Sequence, residues 1–212
     1  MNILENYLNI KKRIETLNNK TNLIVVSKGQ FIDKIKIILN TGHIHFGENR
    51  VQEALLKWSD YLSNNVNIQL HLIGGLQSNK AKQAFQIFNY IHSLDSEKLA
   101  KTFSNLESNG QKKIKYFIQV NIGNEPQKNG ISSEQVFSFV NYCVNDLKLN
   151  IIGLMCIPPV VADSSQYFKS LAELAKINNL NELSMGMSND YECATNNGAT
   201  FVRVGSKIFN QV

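Results

Sequence analysis

The 212-residue sequence lacks an apolar run that could cross a membrane. Its longest apolar stretch, residues 151–162, is interrupted by Pro158 and Pro159 and falls short of the roughly 18 residues that a spanning helix needs. Residues 1–17 carry apolar residues at helical spacing among charged ones, and they lack the basic start and apolar block of a secretory signal. We therefore expect a cytoplasmic protein that does not associate with membranes.

Cysteine and clustered positive charge are also scarce. Cys143, Cys156 and Cys193 are odd in number and widely spaced, which argues against a disulfide framework and against a CxxC metal site. The net charge is +5, but the lysines are scattered and no basic stripe is interleaved with aromatic residues. We expect no nucleic-acid partner, and a site for an anionic ligand would account for part of the positive charge.

The main pattern that is present is an alternation of β-rich runs with helical segments, preceded by one extra amphipathic helix. The β-rich runs cover residues 23–27, 43–46, 68–73, 90–94, 115–122, 150–157, 182–185 and 201–204. The intervening helical segments cover residues 30–39, 49–62, 79–88, 96–106, 132–147, 164–177 and 190–197. Such alternation predicts parallel strands, and eight units predict a single α/β domain, a (β/α)8 TIM barrel over residues 1–212. An open doubly wound sheet is the alternative fold.

Lys28 directly follows the first predicted strand. A barrel places its chemistry at the C-terminal ends of its strands, and strand alternation puts Lys28 on the same face as Ile24 and Val26. If that face is the barrel interior, the amine lies at the mouth, where a desolvated amine can attack a carbonyl carbon and form a Schiff base. The alternative is a lysine whose amine extends past the rim into water.

Small-residue turns follow the seventh and eighth predicted strands, at residues 186–188 and 205–206. TIM barrels often bind phosphate at the loops after these two strands, so the turns predict a phosphate site, with two ordinary loops as the alternative. Arg203 lies inside strand eight. It needs a carboxylate or a ligand atom as a partner if it faces the interior, and it can pair with a helix carboxylate if it faces outward.

The histidines are a weaker signal. His43 and His45 are two residues apart on one predicted strand face and could bind a metal, but no third ligand has suitable spacing. We therefore predict no metal site. His71 and His92 are expected to be packed and hydrogen bonded.

Seven segments carry a resemblance to a known family. They are VVSK at 25–28, FGENRVQE at 46–53, HLIGGLQSNK at 71–80, IHSLDS at 91–96, QVNIGNEPQKNGI at 119–131, GLMCIPP at 153–159 and LSMGMSNDYECATNNGATFVRVGSKIF at 183–209. In these segments the sequence resembles the pyridoxal phosphate homeostasis proteins, which are small barrels similar to the alanine racemase N-terminal domain. The segments follow the family's order and cover almost the whole chain.

The resemblance implies that pyridoxal 5'-phosphate (PLP) is bound covalently, as an aldimine on Lys28. It also implies that the cofactor's phosphate is held by Ser184, Gly205 and Ser206, together with the backbone near Met187. On this interpretation, the amine at the end of the first strand meets an aldehyde.

The resemblance further implies that Arg203 reaches the pyridine nitrogen and that Asn49 and Met155 line the ring. An arginine does not accept a proton there, so the ring is a weak electron sink, which disfavours transamination. Because few residues follow the last strand, we expect no second domain to supply the second base that racemases use. We therefore predict a PLP carrier or regulator in vitamin B6 homeostasis, without turnover, and a weak PLP-dependent racemase is the alternative.

Further expectations concern partners and a second lysine. We expect a monomer whose recipients are PLP-dependent apo-enzymes. Lys128, in the loop after strand five, is a candidate to receive the cofactor transiently during transfer, with an ordinary solvated loop lysine as the alternative. A lyase that forms a Schiff base without cofactor is another alternative, and it would need Glu48 and Asp95 as an acid and base near Lys28.

Overall fold

The computed structural model describes residues 2–64, 67–110 and 112–210, and its eight parallel strands form a closed barrel in chain order. The strands are β1 (Asn22–Val26), β2 (His45–Glu48), β3 (Gln69–Leu72), β4 (Tyr90–Leu94), β5 (Lys115–Val120), β6 (Ile151–Cys156), β7 (Glu182–Met187) and β8 (Phe201–Val204). The ring closes because β1 pairs with β8, with Ile24 opposite Arg203. The predicted TIM barrel is therefore confirmed, and the open doubly wound sheet is wrong.

Helices lie between consecutive strands, and one extra helix precedes the first strand, as the sequence predicted. The α-helices are α1 (Ile3–Leu17), α2 (Ile32–Leu39), α3 (Val51–Asn64), α4 (Ala81–Ile87), α5 (Glu97–Ser108), α6 (Val136–Asn141), α7 (Ser165–Ile177), α8 (Tyr191–Asn196) and α9 (Ser206–Phe209). Asn2 caps α1 by accepting a bond from the Glu5 backbone N–H at 2.9 Å, and the Glu5 side chain accepts from the Asn2 N–H at 3.1 Å. Within the described ranges, no helix combines the length and the apolar character that crossing a membrane would require.

Several element boundaries differ from the sequence predictions by one or two residues, and two elements illustrate why. The second strand was predicted at residues 43–46, but β2 runs two residues later, because the backbones of Gly47 and Glu48 pair with β3. Glycine and glutamate are depleted in strands, so propensity ended the strand too early. The helix predicted over residues 132–147 is divided into a 3-10 turn (Ser133–Gln135), α6 and a π-helical turn (Tyr142–Asp146).

The strands alternate between two packing layers. The side chains that fill the barrel interior include those of Ile24, Tyr90, Phe117, Met155 and Phe201. Neighbouring strand residues such as Leu23 and Val25 belong instead to the larger apolar cluster between the sheet and the helices. Because Ile24 faces the interior, the two-residue strand period directs Lys28 toward the same side, at the mouth of the barrel.

Candidate functional site

The C-terminal ends of the strands surround a cleft of about 650 Å³. Its walls come mainly from the loops after β1, β6, β7 and β8. Six of the eight cofactor-binding residues predicted from the sequence line it: Lys28, Asn49, Met187, Arg203, Gly205 and Ser206. The barrel thus brings together groups that are up to 178 residues apart in the chain.

Lys28 is exposed at the cleft, whereas Ser27 before it is fully buried. Within residues 2–64, 67–110 and 112–210, no carboxylate forms a salt bridge with the Lys28 amine. An exposed amine at the mouth of a barrel, without a competing carboxylate, is available to a carbonyl compound that enters the cleft.

A buried ion pair fixes the backbone on the N-terminal side of Lys28. The Glu48 Oε1 atom accepts hydrogen bonds from Ser27 Oγ at 2.7 Å, Lys57 Nζ at 2.8 Å and Trp58 Nε1 at 2.9 Å. Lys57 Nζ also donates to the Ser27 carbonyl oxygen at 2.7 Å. Glu48 is fully buried, and these contacts tie the end of β1 to α3.

The C-terminal side of Lys28 is held by the same helix. The Gly29 backbone N–H donates to Glu53 Oε1 at 2.5 Å, and Glu53 also pairs with Lys57 at 2.9 Å. Gly29 has φ of 68°, a left-handed conformation that favours glycine. The Glu48 carboxylate is hydrogen bonded to Lys57 and Trp58 of α3, so it is not placed as an acid or base for Lys28. Asp95 does not line the cleft. These positions count against the cofactor-free lyase.

Two glycines allow the loops around the cleft to approach closely. A Cβ atom on Gly74 would lie 2.3 Å from the Asn49 carbonyl oxygen, so the loop after β3 can pack against Asn49 only without a side chain there. A Cβ atom on Gly205 would lie 2.8 Å from the Val26 carbonyl oxygen, so Gly205 lets the end of β8 lie directly beside the end of β1.

Arg203 is buried beneath the cleft and faces the barrel interior. Its Nη1 atom donates to Ser184 Oγ at 2.6 Å, and its Nη2 atom donates to the Cys156 carbonyl oxygen at 2.9 Å. Burial lowers the pKa of Arg203 from its ordinary value. Among the described residues it forms no salt bridge with a carboxylate, although a guanidinium offers five N–H donors. Arg203 therefore has donors available to a ligand in the cleft.

The small-residue turns after β7 and β8 meet each other, and a phosphate site between them stays a prediction. Ser206 Oγ donates to Ser188 Oγ at 2.9 Å, and both residues line the cleft. Gly186 has φ of 88°, and the Met187 N–H donates to Asp190 Oδ1 at 2.6 Å. Ser188 lies in the turn 186–188 that the sequence predicted, but it was not among the residues predicted to bind the cofactor.

Met155 and Ser184 lie below the cleft and do not line it. Met155 packs in the apolar interior layer, and Ser184 is fully buried between Arg203 and His92. Their direct contact with a cofactor stays a prediction.

The histidines are arranged differently from the sequence expectation in one respect. His43 lies before β2, so it does not share a strand face with His45; its Nε2 atom instead donates to the His45 carbonyl oxygen at 2.9 Å. His71 and His92 are fully buried and hydrogen bonded, which confirms their prediction. In the described part of the chain, no group of three or more His, Cys, Asp or Glu residues is arranged to hold a metal ion.

Lys128 is partly buried at the edge of the site. Its amine donates to the Pro158 carbonyl oxygen at 3.0 Å and forms an ion pair with Glu125. Pro158 lines the cleft, whereas Lys128 does not. A role for Lys128 in receiving a cofactor stays a prediction.

Sequence comparison gives one family and many relatives. The family described as "Alanine racemase, N-terminal domain" matches residues 1–211. A protein of Haemophilus influenzae named "Pyridoxal phosphate homeostasis protein" is 32% identical over 226 aligned residues, which cover 99% of this chain and 95% of the relative.

Comparison with solved structures also finds relatives of this chain, one of them solved with PLP bound. PipY of Synechococcus elongatus, solved with PLP bound, has a TM-score of 0.87 and 33% identity, and the match covers 98% of this chain and all of PipY (100%). The PLP-free structure of PipY has a TM-score of 0.89. Alanine racemase of Corynebacterium glutamicum, at 14% identity, shares the fold with a TM-score of 0.72, over 99% of this chain and 60% of the racemase.

Proposed function

This chain belongs to the pyridoxal phosphate homeostasis proteins, and we propose on this basis that it binds PLP in the cleft and takes part in vitamin B6 homeostasis without turnover. Residues 1–212 would act as one PLP-binding unit, in the cytoplasm and as a monomer. The structure with PLP bound is that of PipY, which aligns with nearly the whole chain.

The observation that carries the proposal is Arg203, a buried cation that pairs with no carboxylate of the described residues. A buried guanidinium with unused donors is costly unless a ligand supplies an acceptor. The pyridine nitrogen of PLP is such an acceptor. Lys28, two residues after the strand that pairs with that of Arg203, would supply the amine that condenses with the cofactor's aldehyde and releases water.

The other groups of the cleft suit the rest of the cofactor. Ser188, Ser206 and the Gly205 N–H would hold the phosphate as hydroxyl and N–H donors. The Met187 N–H already donates to Asp190 Oδ1, so Met187 would only line this part of the cleft. Asn49 would line the ring. Because Ser184 and Met155 lie deeper, we assign them to the support of Arg203 and of the site's floor, in place of the phosphate and the ring contact that the resemblance implied.

The titratable groups of the cleft support binding without turnover. When bound, PLP would supply an electron sink, and an Arg203 guanidinium placed at the ring nitrogen would not favour its protonated form, so that sink would be weak. The Asp163 carboxylate accepts bonds from Ser165, which lower its pKa, and a bond from Arg13 lowers the pKa of Glu192. Asp190, the third carboxylate that lines the cleft, accepts a bond from the Met187 N–H. All three carboxylates are therefore engaged by protein donors, which does not favour a role as a base in amino-acid chemistry.

We also propose that the protein delivers the cofactor to PLP-dependent apo-enzymes, and the open cleft supports this role. A cleft that is open at the barrel mouth lets the cofactor leave without a domain movement. Lys128, beside the cleft residue Pro158, is the proposed transient acceptor during transfer.

Borohydride reduction of protein incubated with PLP, followed by peptide mass spectrometry, tests the proposal. We expect a pyridoxyl-phosphate adduct on the peptide that contains Lys28, lost in Lys28→Ala. The control is Lys20→Ala, which removes an exposed lysine outside the cleft and should keep the adduct. An unmodified Lys28 in the presence of excess PLP would overturn the proposal. Alanine racemisation that disappears in Lys28→Ala would instead retain the cofactor site and overturn the absence of turnover.

A further inference from the structure

Arg203 is the first member of a hydrogen-bonded chain through the barrel interior. Its Nη1 atom bonds to Ser184 Oγ at 2.6 Å, and Ser184 Oγ lies 2.8 Å from His92 Nδ1. The His92 Nε2 atom lies 2.9 Å from His71 Nδ1, and His71 Nε2 lies 2.9 Å from His45 Nδ1. We call these five residues the histidine column. It is built from β2, β3, β4, β7 and β8.

The column connects the two ends of the barrel. Arg203 lines the cleft at the C-terminal ends of the strands. His45, the first residue of β2, lines a separate cavity of about 310 Å³ at the N-terminal ends. The column therefore forms a polar path through an interior that is otherwise filled by apolar and aromatic side chains.

The hydrogen bonds of the column run in one direction. Arg203 can only donate, so Ser184 Oγ accepts from it. Within the described residues, the only other polar atom bonded to the Ser184 hydroxyl is His92 Nδ1, so the hydroxyl proton is donated there. Each histidine then accepts at Nδ1 and donates at Nε2, which makes His92 and His71 neutral Nε2–H tautomers.

Aromatic contacts hold the imidazole rings in the orientation that this direction requires. The His92 ring stacks on Phe117 at a centroid distance of 4.3 Å and an interplanar angle of 21°. The His71 ring stacks on Tyr90 at 4.1 Å and 14°. The rings of His92 and His71 are each hydrogen bonded at both nitrogens and stacked on one face. They therefore have little freedom to rotate away from their partners.

We propose that His92 is a positioning residue for the cofactor: acting through Ser184, it holds the Arg203 guanidinium so that its remaining N–H groups face the cleft. This inference rests on the proposed function. An acceptor at His92 Nδ1 keeps the Ser184 lone pairs turned toward Arg203. Without that acceptor, the serine proton competes for the position that Arg203 Nη1 occupies, and the guanidinium loses its fixed orientation.

A pair of substitutions separates this role from packing. His92→Phe keeps a flat ring on Phe117 but removes the acceptor, whereas His92→Asn places an amide oxygen near the position of Nδ1. We expect PLP to bind about 10-fold more weakly to His92→Phe, the effect of one lost hydrogen bond, and within about 3-fold of the parent for His92→Asn. His43→Phe is the matched control, because it removes a partly buried histidine that lies outside the column and should leave PLP affinity unchanged.

A double-mutant cycle tests whether His92 acts through Arg203. In an Arg203→Leu background, His92→Phe should weaken PLP binding no further, because the group that it positions is gone. An equal 10-fold loss in both backgrounds would show a general packing effect and overturn the inference, as would unchanged affinity of His92→Phe in the parent.

Nitrogen-15 NMR of the cofactor-free protein decides the inference even if the proposed function fails. We expect Nε2–H signals for His92 and His71, and distinct, slowly exchanging Nη signals for Arg203 that merge in His92→Phe but not in His92→Asn. An Nδ1–H tautomer of His92, or Arg203 signals that are the same in all three proteins, would overturn the positioning role. Absence of any Lys28 adduct, with the expected NMR signals, would overturn the proposed function alone.

Discussion

Acidification is expected to destabilise this protein well before its carboxylates are protonated. Burial lowers the pKa of His43 and of His45 to about 4, and it lowers the pKa values of His71 and His92 well below their usual range. An unfolded histidine has a pKa of about 6.5. Between these values the unfolded chain binds more protons than the folded one, so stability falls as the pH decreases from about 6.5 toward 4.

The size of the effect follows from those pKa values. At pH 5 an unfolded histidine is almost fully protonated, whereas a folded one with a pKa of about 4 is mostly neutral. The difference costs about 2 kcal/mol for each of His43 and His45 relative to pH 7. The two fully buried histidines act in the same direction and add to this loss. Typical domains have about 5–15 kcal/mol of stability, so this loss is large.

Urea unfolding, followed by circular dichroism near pH 7 and near pH 5, measures the effect. His43→Asn should reduce the pH dependence by about 2 kcal/mol, whatever its cost at pH 7, because one titrating group is removed. His45→Asn should do the same. A free energy of unfolding that is equal at the two pH values would refute the reasoning, because it would mean that the histidines are protonated in the fold or solvated like free imidazole.

Three further predictions concern the site. Lys57→Met should destabilise the fold by about 3–5 kcal/mol in urea unfolding, because it leaves the buried Glu48 carboxylate unpaired, and adding Glu48→Leu should recover part of that loss. Ser188→Ala and Ser206→Ala should each weaken binding of PLP about 10-fold in titrations but leave binding of pyridoxal, which has no phosphate, unchanged. Gly205→Ala should lower both the melting temperature and PLP affinity, because its Cβ would lie 2.8 Å from a backbone oxygen of β1. Equal losses for PLP and pyridoxal in the serine variants, or an unchanged Gly205→Ala protein, would contradict these assignments.

The barrel and the two charged residues of the site were predictable because their signals are local. Alternating β-rich and helical segments specify a parallel barrel, and the two-residue period of β1 directs Lys28 toward the mouth once the interior face is known. The sequence placed Arg203 in β8 but left open whether its side chain faces the barrel interior or the helices. The structure shows that it faces the interior, where it is buried and bonded to Ser184.

The parts that were missed depend on contacts between distant strands. No local pattern shows that Ser184 lies between Arg203 and His92, since the two partners are 111 residues apart in the sequence. Likewise, Glu48 looked like a strand-end acid, but its partners are on α3, and the direction of its side chain was hidden by the misplaced start of β2.

The pairing of β1 with β8 has a consequence for how the cofactor site comes into being. Ile24 lies opposite Arg203, so the lysine and the arginine of the cleft become neighbours only when the first and last strands meet. During synthesis, the lysine is exposed long before the arginine exists. A ligand that bridges the two groups binds only the finished ring, and it therefore stabilises ring closure by mass action.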